Sequence, residues 1–194
     1  NPGFTGITPQ QRLVVNHRLQ WPNLPQTFAT YAVSYEMFNG ELNSGFGLMA
    51  TTDQMGSGGW RTTNAGLLYS YKVRLNQDWV FSPGIYFGYG WQGIDQSKLR
   101  LGDELANNQN GTNDGTVLRI DNEQYFDFGS GAILYNRNVW IGISAYHINR
   151  PNTSLIGGES RIPIRYNVHG GMRIPLYNGP RTISRVSYLT PSFV

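Results

Sequence analysis

If this sequence performed acid–base or nucleophilic chemistry, Asp53, His147 and His169 would be the residues to carry it, because an imidazole beside a carboxylate makes a proton relay. No Ser/His/Asp set is recognisable, however. His17, His147 and His169 fall on three separate runs with no metal-ligand spacing between them. The absence of cysteine removes disulfides, thiolate zinc sites and a cysteine nucleophile. None of the glycines sits in a phosphate-loop context, and they read more simply as close-packing strand residues. The stretch "NNQNGTNDGTVLRIDNE" offers Asp114, Asp121 and Glu123 as oxygen ligands for a weak calcium site. It matches no twelve-residue calcium loop, and a solvated rim loop is the stronger reading. "NRPNTS" at 149–154 reads either as a shaped turn for a partner or as a strand ended by Pro151. The sequence is therefore read as a non-enzyme that needs no cofactor and holds no assured metal.

The bulk of the chain says what must position such residues. Of 194 residues, 39% are hydrophobic, 13% aromatic and only 14% charged, with 24 glycines. A soluble enzyme carries roughly 25% charged residues, and glycine and aromatic rings suit apposed strands far better than helices. The net charge of +3 is spread along the chain without a basic run, which leaves a nucleic-acid partner unsupported. No stretch approaches the ~18 continuous apolar residues of a transmembrane helix. That count does not bear on strands, whose lipid-facing residues come at every second position.

Period-two alternation predicts strands over 12–20, 27–37, 44–53, 62–75, 79–92, 125–135, 139–148 and 161–174, with a weaker run over 182–193. One face of these runs is aliphatic and aromatic throughout, as in Ala65, Leu67, Tyr69, Tyr71, Val73 and Leu75. The other mixes glycine, hydroxyls and amides with Lys72, Arg74, Arg165 and Arg173, which suits a wet interior better than a dry core. Trp21, Trp60, Trp79, Trp91 and Trp140 fall near proposed strand ends, where membrane interfaces collect such rings. The expected fold is all-β: one domain over 1–194, an up-and-down antiparallel transmembrane β-barrel of outer-membrane type, with a long polar loop at about 95–124.

Five segments in order carry a family resemblance: "NPGFTG" at 1–6, "RLQWPNLPQTFATYAVSYE" at 18–36, "GFGLMATTDQMG" at 45–56, "LLYSYKVRL" at 67–75 and "GISAYHINRPNTSL" at 142–155. Together they resemble the PorP/SprF family of the Bacteroidota type IX secretion system. Gly3 and Phe4 stand where Ala and Tyr are commoner, and Leu19 stands where Asn is usual. The resemblance implies a non-catalytic protein of the bacterial outer membrane, acting in protein export or gliding motility. It implies secreted adhesins with a type B C-terminal signal domain, periplasmic secretion components and outer-membrane lipid as partners. Family chains are generally longer, so the resemblance also implies further strands beyond Val194 and an incomplete domain.

The residues that match its motifs are Arg18, Gln20, Trp21, Asp53, His147 and Pro151, as partner-binding or structural positions. Arg18 and Asp53 share a polar-face phase and are expected to pair across the barrel interior. Two other functions fit the pattern alone, a general porin or small-solute channel and a soluble carbohydrate-binding β-module.

Overall fold

The computed structural model describes residues 1–21, 23, 28–56, 59–95, 122–155, 157–176 and 188–194. A short 3₁₀ turn, Pro2–Phe4, precedes the strands β1 (Arg12–Gln20), β2 (Phe28–Asn39), β3 (Ser44–Met55), β4 (Trp60–Tyr71), β5 (Val73–Arg74) and β6 (Val80–Ile94). Then come β7 (Glu123–Tyr135), β8 (Val139–Tyr146), β9 (Arg165–Met172), β10 (Ile174–Pro175), β11 (Tyr188–Leu189) and β12 (Ser192–Phe193). The main sheet runs β1-β2-β3-β4-β6-β7-β8-β9-β12, with β5 also on β6 and every pairing antiparallel. A separate pair joins β10 to β11.

Asparagines shape the short hairpins. Asn39 Oδ1 accepts from the backbone N–H groups of Glu41 and Leu42, Asn76 Oδ1 from Asp78 and Trp79, and Asn136 Oδ1 from Asn138 and Val139. Each side chain stands in for a backbone turn and pre-sets the register of the strands on either side. Asn136→Ala removes two such bonds, at 2.8 and 2.7 Å. It is expected to cost about 1–2 kcal/mol in a chemical-denaturation midpoint.

The predicted run 62–75 is broken at Lys72. The register that pairs Ser70 with Gly84 and Val73 with Phe81 sets Tyr71 opposite Pro83, which has no N–H to give the ladder.

The two faces of the sheet have opposite characters. Ser70, Ser82, Ser144, Lys72 and Asp127 are buried, whereas Leu48, Leu67, Ile85 and Ile143 are each more than half exposed. Such a broad uncovered apolar face is one that a water-soluble monomer avoids. The side bearing the buried polar groups is the inner face below, and the apolar side is the outer face.

The architecture corrects one expectation: the antiparallel sheet is all-β but open, not a closed transmembrane barrel. Among the described residues β1 pairs only with β2 and β12 only with β9, so the first and last strands do not meet. Alternation dictates which side each residue faces, but closure depends on stagger and on pairing between the two ends of the sheet, which a period of two does not encode. No described helix is long and apolar enough to cross a membrane, a fact that says nothing about strands. Of the expected loop at about 95–124, residues 96–121 lie outside the described residues, as does most of the last predicted run.

Candidate functional site

Residues 1–6 lie on the inner face and organise it. Asn1 Oδ1 accepts from Gly3 N at 2.8 Å and caps the 3₁₀ turn, and Gly6 leaves it at a φ of +63° that favours glycine. The Asn1 side-chain amide donates to the carbonyls of Ala132 and Ile143 and meets His169 Nε2 at 2.9 Å. Phe4 stacks on the His169 ring at 5.1 Å.

The sheet is hollowed to receive this segment. Side chains at Gly45, Gly84 and Gly131 would run into Thr5, Pro2 and Asn1 respectively. Glycine here is a matter of close backbone approach rather than flexibility.

Lys72 closes the arrangement. Its ammonium donates to Thr5 O at 2.8 Å, Ser82 Oγ at 2.9 Å, Ser70 Oγ at 3.0 Å and Gly3 O at 3.3 Å. Four acceptors share three N–H groups, so the longest contact is the shared one. Ser70 and Ser82 donate in turn to the same two carbonyls, at 2.6 and 2.8 Å. Burial pushes the Lys72 pKa down to about 8, with the Glu36 carboxylate acting in the opposite sense. Glu36 itself pairs with Arg12 at 2.6 Å and accepts from Gly6 N at 3.2 Å, which ties β1 and β2 to the same segment.

A second polar cluster lies where β7 meets the chain leaving β8. His147 Nδ1 contacts Asp127 Oδ1 at 3.0 Å, and His147 and Arg150 both have positive φ, 59° and 47°. Asn149 fastens this turn by donating to Phe126 O at 2.7 Å and accepting from Phe128 N at 3.2 Å. Pro151 is buried, and its carbonyl accepts from Ile162 N at 3.0 Å. Among the described residues no hydroxyl hydrogen-bonds His147, so the pair has no nucleophile to activate and acts as a clasp.

The remaining sequence-derived residues stand at one end of β1–β3. Arg18 donates to Gln20 Oε1 at 3.1 Å, and Asp53 accepts from Thr30 at 2.6 Å. Trp21, at a φ of 56°, sets its ring edge-on to Phe28 at 5.3 Å. No ion pair joins Arg18 to Asp53, because Thr30 pairs with both in the ladder and stands between them. Nor does a hydrogen bond link this set to His147 or Pro151. Asp114 and Asp121 lie outside the described residues, while Glu123 opens β7. Among the described residues no group of three His, Asp or Glu could hold a metal ion.

Sequence reasoning did not foresee the hub at Lys72 or the docking of residues 1–6. The available signal was the shared phase of Gly45, Ser70, Ser82 and Gly84: small residues on one face leave room for something laid across it.

A family model described as "Type IX secretion system membrane protein PorP/SprF" matches residues 1–194. No curated protein and no solved structure matches the chain.

Proposed function

The chain belongs to the PorP/SprF family of type IX secretion system membrane proteins, and from that premise we propose that it holds secreted adhesins bearing a type B C-terminal signal domain, in contact with periplasmic components of the same machinery. It is a non-catalytic outer-membrane protein that serves the type IX system in adhesin transport or anchoring. The finer identities of its partners are our reading.

One observation carries the preference for anchoring over conduction. The inner face, which a porin would leave wet, is occupied by the chain's own residues 1–6, latched through Lys72, Ser70 and Ser82. A face filled by a fixed segment suits a scaffold better than a solute path. Within this reading Arg18, Gln20, Trp21 and Asp53 at the end of β1–β3, with His147 and Pro151 beyond β8, are shape-holding positions from which a partner is met. Their hydrogen bonds run within the chain, so removing one distorts the contact surface rather than deleting a contact.

The test is a mild-detergent pull-down of the full-length protein from its native outer membrane, with mass spectrometry of what accompanies it. A large secreted adhesin together with periplasmic secretion components is the expected recovery. A solitary protein that gives steady conductance in a planar bilayer would replace this reading with the channel.

A further inference from the structure

The outer face of β3, β4 and β6 carries a groove that changes character along its length. At one end Ala50 pairs with Ala65, and Ala65 with Tyr89, in a row bordered by Leu48, Leu67 and Phe87. Two methyl side chains among large ones leave an apolar trough of about 400 Å³. Two residues further along each strand, Thr63 pairs with Trp91, and two further still Gln54 pairs with Arg61 and Arg61 with Gly93. These rows border a polar hollow of about 520 Å³. Because alternate residues share a face, trough and hollow lie end to end along the same strands, and the six steps from Leu67 to Arg61 span about 20 Å.

The polar end is equipped for an anion. Arg61 is exposed, and its guanidinium makes no ion pair or hydrogen bond among the described residues. The Asn122 side chain stands directly over Gly93, where any side chain would displace it, and adds an amide to the polar lining of the hollow. Trp91 is 39% exposed and held edge-on to Tyr89 at 4.7 Å. Asp95 is the acidic side chain among the described lining residues, and it has an interaction of its own.

We infer that this groove seats one outer-membrane phospholipid with an anionic headgroup, its acyl chain over Ala50 and Ala65 and its phosphate on Arg61. A guanidinium fork matches phosphate oxygens in pairs, and an indole beside it sits at the level where headgroup meets hydrocarbon. A smooth apolar face would take any lipid indifferently. Here an apolar trough leads to a cation with no ion pair or hydrogen bond among the described residues, which selects both for a chain and for a charge. The inference rests on the outer-membrane location and not on the adhesin reading.

The full-length protein in detergent is titrated with dimyristoyl phosphatidylglycerol or dimyristoyl phosphatidylcholine and examined by native mass spectrometry. Phosphatidylglycerol is expected to be retained about tenfold better, the scale of one charge-assisted contact. Arg61→Gln should abolish that preference by lowering phosphatidylglycerol retention to the phosphatidylcholine level, where the choline cation already offsets the phosphate. Ala65→Leu, which fills the trough from the side facing no protein, should lower retention of both lipids by about tenfold. Ala50→Leu gives the same readout from the neighbouring strand if Ala65→Leu does not fold. Equal retention of the two lipids by the unaltered protein, or a preference that survives Arg61→Gln, would overturn the inference. So would displacement of the lipid by soluble glycerol phosphate at matching concentration, since the chain would then contribute nothing. Loss of lipid preference with adhesin recovery intact counts against this inference alone, and the reverse against the anchoring role alone.

Discussion

Gly84→Val is expected to drive residues 1–6 off the inner face. A side chain at position 84 meets backbone atoms of Pro2 and Gly3 at the centre of the docked turn, so neither a rotamer change nor a flexible tip can relieve the clash. Overpacking at a close-packed site costs about 1–3 kcal/mol when neighbours can shift. Here the neighbour is a 3₁₀ turn held at both ends, by Asn1 on the carbonyls of Ala132 and Ile143 and by Lys72 on those of Gly3 and Thr5. The segment therefore leaves as a unit or the sheet opens around it. Hydrogen exchange of residues 3–7 should rise to the rate of an exposed chain, and a nonspecific protease should clip there first. Gly40→Ala is the control, because the nearest atom to its new methyl is Phe38 Cε1 at 3.9 Å. Unchanged protection in Gly84→Val would mean that the segment is held by β1 and β2 through Gly6 and Glu36 rather than by the glycine cradle.

This dependence of the inner face on a distant segment explains what could and could not be read from sequence. Strands were legible because alternation is a local signal: β1 was anticipated residue for residue, and β2, β3, β6, β7 and β8 within two or three positions at either end. The side on which each side chain lies was legible for the same reason, as Leu67 and Ser70 illustrate. Pairing partners beyond adjacent strands were not. Arg18 and Asp53 share a phase, yet β2 separates them, and two strand spacings amount to about 9.6 Å, too far for an ion pair. The ladder position between them belongs to Thr30, which takes Asp53 for itself. Closure failed as an expectation on similar grounds, since whether β1 meets the far edge depends on every intervening register at once. The docking of residues 1–6 involves partners separated in sequence by 65 to 79 positions at Lys72, Ser70 and Ser82, and by 168 at His169. Only the family resemblance marked that segment as more than a leading strand of loop, and it gave no reason.

Lys72 supplies the pH dependence of the same assembly. Its folded pKa, about 8, lies below the ordinary lysine value of 10.5 because burial disfavours the ammonium, and Glu36 offsets this only in part. Between those two values the unfolded chain holds a proton that the folded chain has released, so stability should rise as pH climbs from about 8 towards about 10.5 and level off beyond. Below about pH 8 both forms are charged, and the lysine makes no further contribution to the slope. Lys72→Met should remove the rise. It should also weaken the latch at neutral pH by about 1–3 kcal/mol, since Ser70 and Ser82 lose their donor while the desolvation of a cation is relieved at the same time. Lys72→Arg separates charge from titration: a guanidinium keeps the positive charge but does not deprotonate in this range, so its midpoint should stay flat where that of the native lysine rises. Denaturant midpoints of the detergent-solubilised protein, taken as the difference from Lys72→Met at each pH, cancel the contribution of the surrounding tyrosines. A difference that is flat through the window would mean that the four hydrogen bonds outweigh burial and keep the ammonium charged. A rise in the difference assigns the pH response of the docked segment to this one side chain.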